Sequence, residues 1–192
     1  MAKVKIPGGI TPEDFLTISK HLRAVLKETN AKQVVARLNE TGKDEPAPVF
    51  VGWVEDPELT EERLEKNEPD PGLFRFADTT PSTTYDKCFR NGGDPNERNW
   101  KLPSHLKERK AKELGQASKA GVNYLRFIGI IAGDGNARRC VGILSAGFSE
   151  KPDDFTIEKV DKVLKRWAQS SSSELVAFFK GTFELGGPVL KN

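Results

Sequence analysis

The chain has 192 residues, with 30 Lys+Arg against 28 Asp+Glu, so its formal net charge is only +2. That length suits one ordinary domain, and the supply of Leu, Val, Ile and Phe beside 30% charged residues excludes global disorder. Near-neutrality argues against a general nucleic-acid coat, and no apolar run approaches the roughly 18 residues needed to cross a bilayer. Residues 1–10 lack the long apolar stretch and small-residue cleavage site of a secretory signal. Two cysteines, Cys88 and Cys140, cannot build a disulfide framework. A cytoplasmic protein with no membrane partner is therefore expected.

The first element in chain order is a helix. Thr11 is a good N-cap, Pro12 suits the first helical position, and Asp14 stands where a capping carboxylate would. Phe15, Ile18, Leu22, Val25 and Leu26 form one apolar stripe at helical spacing, ending near Thr29 and Asn30. Residues 34–38 read as a short β-branched strand and residues 49–54 as its hairpin partner, across a Gly- and Pro-containing turn. Residues 55–70 carry eight carboxylates against Arg63 and Lys66 and read as a solvated excursion, followed by a strand around 73–77. Residues 84–90 read as a short helix stopped by Asn91-Gly92-Gly93. Residues 91–99 read as a polar stretch, and 106–119 as a helix with a basic face.

The clearest β signal spans residues 123–132, with Leu125, Phe127, Ile128, Ile130 and Ile131, and returns over 139–148 after Gly133-Asp134-Gly135-Asn136. One long closing helix follows, capped by Thr156, with Val160, Val163, Leu164, Trp167, Leu175, Phe178 and Phe179 as its stripe. Four serines at 170–173 weaken it by about several tenths of a kcal/mol and allow a kink or break. Residues 181–192 read as a loose tail. Strands joined mainly by hairpins, not by helical crossovers, give an α+β layer fold: a central antiparallel sheet flanked by N- and C-terminal helices.

Catalytic signals are weak. Two His and two Cys in separate segments match no zinc spacing, so no metal site is expected. Gly133-Asp134-Gly135-Asn136 lies between strands and reads as a turn, not a phosphate loop. Cys140 alternates with core residues and reads as structural. Cys88 has only Lys87 and Arg90 nearby to favour a thiolate, against a plain reading as a small buried hydrophobe. The basic stretch 101–119 fits a solvated helix face or a surface for an acidic partner.

The element order and particular residues resemble the GAF domain family of small-molecule sensors. Tyr124-Leu125-Arg126-Phe127-Ile128-Gly129-Ile130-Ile131 is similar to the family's penultimate core strand, and Cys140-Val141-Gly142-Ile143-Leu144-Ser145-Ala146-Gly147-Phe148 to its last strand. Phe155 with residues 160–168 resembles the closing helix, and residues 84–93 resemble the short helix and glycine before the pocket-side strand. The likeness implies a GAF/PAS-like, profilin-like fold over residues 11–180, between tails at 1–10 and 181–192. Lys151 and Phe155 match the signature of cyclic-nucleotide-binding members, but Ser149, Glu150, Lys159 and Val160 depart from it, so no cyclic nucleotide is implied. Cys88 is followed by Phe89, with neither His21 nor His105 close in sequence, so no bilin is implied either. Two cysteines some fifty residues apart do not reproduce the cluster of the methionine-sulfoxide-reducing subgroup.

The resemblance implies a non-enzymatic sensor or regulatory domain. A small ligand would lie between the sheet and the variable middle segment, and packing of the terminal helices would carry the signal. By placement, the pocket candidates are Phe76, Asp78, Thr84, Tyr85, Cys88, Trp100 and Arg126. Arg126 is the natural partner of an anionic group; its plainer reading is a strand residue paired with a cross-strand carboxylate. The resemblance also implies a homodimer through the terminal helices and a separate output protein. Two other readings stand beside it: a Cys88-dependent redox enzyme of the same fold, and a ligand-free module binding protein or nucleic acid through residues 101–119.

Overall fold

A computed structural model describes residues 12–39, 48–55, 93–99, 122–182, 187 and 189–190. The segments expected as an acidic excursion after Glu55, a strand at 73–77 and helices at 84–90 and 106–119 lie outside these residues. Among the described residues a five-stranded antiparallel sheet is covered on one face by three α-helices. The strands are β1 (Gln33–Asn39), β2 (Pro48–Glu55), β3 (Asn96–Asn99), β4 (Tyr124–Ala132) and β5 (Arg139–Phe148). The helices are α1 (Pro12–Thr29), α2 (Asp154–Ala168) and α3 (Glu174–Thr182). The sheet order β2-β1-β5-β4-β3 places the first and last strands side by side at its centre.

The expected α+β architecture and its two hairpins are present. Helix α1 buries Ile18, Leu22 and Val25, and ends where Asn30 turns to a positive φ of 54°, a left-handed position that asparagine tolerates. Residues in β1 and β4 alternate between faces with period two. Val34, Ala36, Leu38, Tyr124, Ile128 and Ile130 therefore join Ile18, Leu22, Val25, Val160, Leu164 and Phe179 in one helix-side core.

Four expectations are corrected. The polar run Asn96–Asn99 is a strand, β3, and among the described residues it pairs only with the start of β4; a strand at the edge of the described sheet tolerates polar side chains because it is not buried on all sides. The closing helix is two, broken at the serine run where the sequence allows a kink or break. Ser173 accepts a hydrogen bond from the Val176 amide at 3.2 Å and donates to the Trp167 carbonyl, so the serine run ends α2 and caps α3. The cap of α2 is Asp153, whose carboxylate accepts from the Thr156 amide at 2.8 Å and the Thr156 hydroxyl at 2.9 Å. The C-terminal tail is not loose where it is described. Val189 bridges to Arg139, the Leu190 amide donates to the Arg138 carbonyl at 2.9 Å, and Leu190 is buried.

The β4–β5 connection is a turn as expected, with Gly133 at φ 87° and Gly135 at φ 52°, closed by a single 3-10 turn. A Cβ on Gly133 would come within 2.4 Å of the Ala137 carbonyl oxygen, so glycine is required there.

Candidate functional site

The sheet has a second face, opposite the helices. Strand register sets three rows on it: Gln33–Gly147–Leu125, Val35–Ser145–Phe127, and Arg37–Ile143–Gly129 across β1, β5 and β4. Ile131 lies opposite Cys140 at its upper end. Gln33, Ser145, Phe127, Ile143, Leu125 and Cys140 are buried there, and Arg37 is half-buried. The Ser145 hydroxyl donates to the Val35 carbonyl at 3.2 Å.

The two faces differ in chemistry. The helix-side core is a continuous apolar cluster. The second face sets an amide, a hydroxyl and a guanidinium among Phe127, Ile143 and Leu125. Small-molecule sites have this composition, apolar area with a few fixed polar groups. Glycine shapes it further. A Cβ on Gly129 would meet Gly93 Cα at 2.6 Å and Cys140 Sγ at 2.7 Å, so the backbone at Gly93 lies directly on β4. The Gly129 amide donates to the Gly93 carbonyl at 3.0 Å.

On the helix side, the start of β4 carries a polar cluster. Arg126 donates to Asp161 of α2 twice, from Nε to Oδ1 and from Nη2 to Oδ2, both at 2.6 Å. Its Nη1 also lies 3.8 Å from Glu97 of β3. The Tyr124 hydroxyl donates to Glu97 at 2.7 Å, and Lys151 approaches the same carboxylate at 3.3 Å. The hydrogen bond from Tyr124 holds the Glu97 carboxyl below its usual range, partly opposed by desolvation. Burial, then the Glu97 carboxylate, pushes the Tyr124 phenol up, so it stays a donor. The Asp161 bonds keep Arg126 firmly charged.

A third polar point lies where the helices meet. His21 of α1 is buried, with Nδ1 3.5 Å from Glu174 of α3 and its ring 5.6 Å from that of Trp167. Desolvation lowers its pKa, against the pull of Glu174.

Of the candidates read from sequence, Phe76, Asp78, Thr84, Tyr85, Cys88 and Trp100 lie outside the described residues. Arg126 is described, and it stands on the helix side of β4, engaged by Asp161. The plainer reading foresaw a carboxylate partner across the sheet; Glu97 is that residue, but the two-point contact comes from a helix. Cys140 is fully buried, as its alternation with core residues implies. Gln33, Arg37 and Ser145 were missed. Their signal was two polar residues flanking Val34, Val35 and Ala36, which marks a strand whose second face is not purely apolar. Among the described residues, no group of three or more His, Cys, Asp or Glu could hold a metal ion.

No protein-family model and no curated protein sequence matches the chain. Solved structures do. GAF3 from Slr1393 of Synechocystis sp. PCC6803, in its photoproduct state, superimposes with a TM-score of 0.54 at 11% identity, covering 88% of this chain and 99% of that one. A far-red cyanobacteriochrome photoreceptor gives a TM-score of 0.51 at 8% identity over 86% and 85% of the two chains. The GAF domain region of a membrane protein from Geobacter sulfurreducens PCA gives 0.50 at 15% identity over 88% and 93%. Such low identities speak to fold alone. With the sheet order, the central β1–β5 pairing and the helix layer, they establish that this chain folds as a GAF-like domain.

Proposed function

We propose that the protein is a non-enzymatic sensory domain that binds a small molecule on the second face of the sheet. The observation that carries this reading is the row Val35–Ser145–Phe127, flanked by Gln33 and Arg37: polar groups set into buried apolar surface opposite the helices. The solved GAF structures that share the fold include photoreceptors, which supports a sensory role. Two cysteines, Cys88 and Cys140, are too few for a disulfide framework, which supports a reducing, cytoplasmic setting.

Two contacts link this face to the helices. Phe127 faces the proposed ligand, while its neighbour Arg126 grips Asp161 of α2 on the other side of β4. The Gln169 amide, just after α2, donates to the Gly93 carbonyl at 2.7 Å and lies 3.3 Å from that of Gly129. A ligand that shifts β4 therefore shifts α2, and occupancy becomes a change in helix packing.

Native mass spectrometry, compared with the denatured mass, tests the reading. The expected result is an added mass in the native spectrum that is lost in Ser145→Leu, a substitution that fills the face without adding charge. A native protein of bare mass, with a melting temperature that no member of a metabolite panel raises, sinks the proposal.

A further inference from the structure

The outer surface of the helix layer carries charge in a pattern that the ligand face does not explain. On α1, Lys20, Arg23 and Lys27 are exposed and recur at helical spacing on one stripe, which begins with exposed Leu16. On α2, exposed Lys159, Lys162, Lys165 and Arg166 do the same behind Phe155. Leu16 and Phe155 are 66% and 80% exposed, the two largest such apolar side chains on the described helices. Of these cations, Arg166 is paired, with Glu28; the other six have no carboxylate partner among the described residues. The carboxylates along the two rows are that same Glu28 and Glu158, with Asp154 beside Phe155. Helices α1 and α2 pack against each other, so the rows form one surface. Each row from apolar end to last cation is about 17 Å long at 1.5 Å per residue, and neighbouring helix axes are about 10 Å apart.

We propose that this face docks the protein peripherally on an anionic lipid surface. Three features select that partner. Five of the six unpaired cations are lysines, which act as hydrated point charges without a fixed geometry; lysine is depleted at protein–protein interfaces, whereas clustered lysine suits a diffuse anionic surface. The cations are spread over two packed helices, broader than one helix seated in a nucleic-acid groove. Exposed Leu16 and Phe155 find a partner in the acyl boundary of a bilayer and none on a phosphate backbone. A second copy is disfavoured, because a symmetric contact sets the same patch against itself, cation against cation. No described helix is long and apolar enough to span a membrane, so the mode is surface association. This inference does not depend on what occupies the second face of the sheet.

The test is flotation of the full chain with phosphatidylcholine vesicles, with and without phosphatidylserine, in low salt. The expected result is binding only when phosphatidylserine is present, with release by molar salt, where screening acts within about 3 Å. The double variant Lys20→Glu/Lys162→Glu, folded by circular dichroism, should lose binding at least about tenfold. Arg138→Glu, which reverses one charge at the exposed β4–β5 turn where the double variant reverses two, should lose less than about twofold. Equal binding to both vesicle types, an equal loss in Arg138→Glu, or no binding by the wild type overturns the proposal. So does a wild type that ignores vesicles but either shifts duplex DNA or forms a dimer that the double variant breaks. Those last outcomes would reassign the face to nucleic acid or to a second copy.

Discussion

Arg126 and Asp161 are 35 residues apart and meet through two parallel hydrogen bonds of 2.6 Å, joining the start of β4 to the middle of α2. The side chains are only 15% and 20% exposed, so each charge depends on the other to offset desolvation.

Removing one member should therefore cost more than removing both. Arg126→Met and Asp161→Leu should each destabilise the fold by about 2–3 kcal/mol, because an uncompensated charge stays behind. The double variant should lose less than the sum of the two. Urea unfolding in a double-mutant cycle reads this directly, and strict additivity would show that the pair is not coupled.

Glu97 makes stability depend on acid. Its folded carboxyl titrates below its unfolded value, so its contribution is complete above about pH 4.5 and is lost as pH falls through the lower folded value. Tyr124→Phe removes the largest cause of that depression. The variant should unfold at a lower urea concentration at neutral pH and lose less of its remaining stability on acidification. Parallel loss in variant and wild type would remove Glu97 as the cause.

His21 acts through burial. Its folded pKa is lowered, so the native state resists the proton that the unfolded chain takes up below about pH 6.5. Its stability contribution is present above that value and falls as pH drops towards the lower folded one. His21→Phe should flatten the stability profile between about pH 7 and 5. Glu174→Gln, which removes the opposing pull, should steepen it. Chemical denaturation at each pH decides the matter, and an unchanged profile in both variants refutes it.

Two glycines should respond in opposite directions. Gly129→Ala forces a Cβ to within 2.6 Å of Gly93 Cα and should cost about 1–3 kcal/mol. Gly181→Ala, in the last turn of α3 with nothing within 4 Å, should add about 0.5 kcal/mol. Melting temperatures of the two variants give the comparison, and equal shifts would mean that crowding at β4 is not the controlling factor.

The apolar elements were legible in the sequence because burial imposes a period. Ile18, Leu22 and Val25 announce α1, and the run from Leu125 to Ile131 announces β4. β3 is hidden in the sequence because Asn96-Glu97-Arg98-Asn99 carries no apolar alternation; it is a strand because it pairs antiparallel with the start of β4. The break at Ser170–Ser173 was visible as weakness, but only the Ser173 side chain on the Val176 amide decides where the new helix begins. Of the proposed ligand face, Phe127 reads in the sequence as a core residue, whereas Gln33, Arg37 and Ser145 acquire meaning only from register. The cationic rows of α1 and α2 are not legible in the sequence because the two helices lie far apart along it, and the near-neutral total hides a patch of one sign.

The central β1–β5 seam has a consequence for synthesis. Ser145 reaches the Val35 carbonyl across 110 residues, so the β1–β2 hairpin leaves the ribosome long before its inner edge has a partner. That edge must stay unpaired until β5 has emerged, which makes completion of the domain a late event in translation and the nascent hairpin a candidate client for chaperones. Ribosome-stalled chains of increasing length should resist protease only once Phe148 and α2 have cleared the exit tunnel; resistance at the length of the hairpin alone would show that the seam is not what completes the fold.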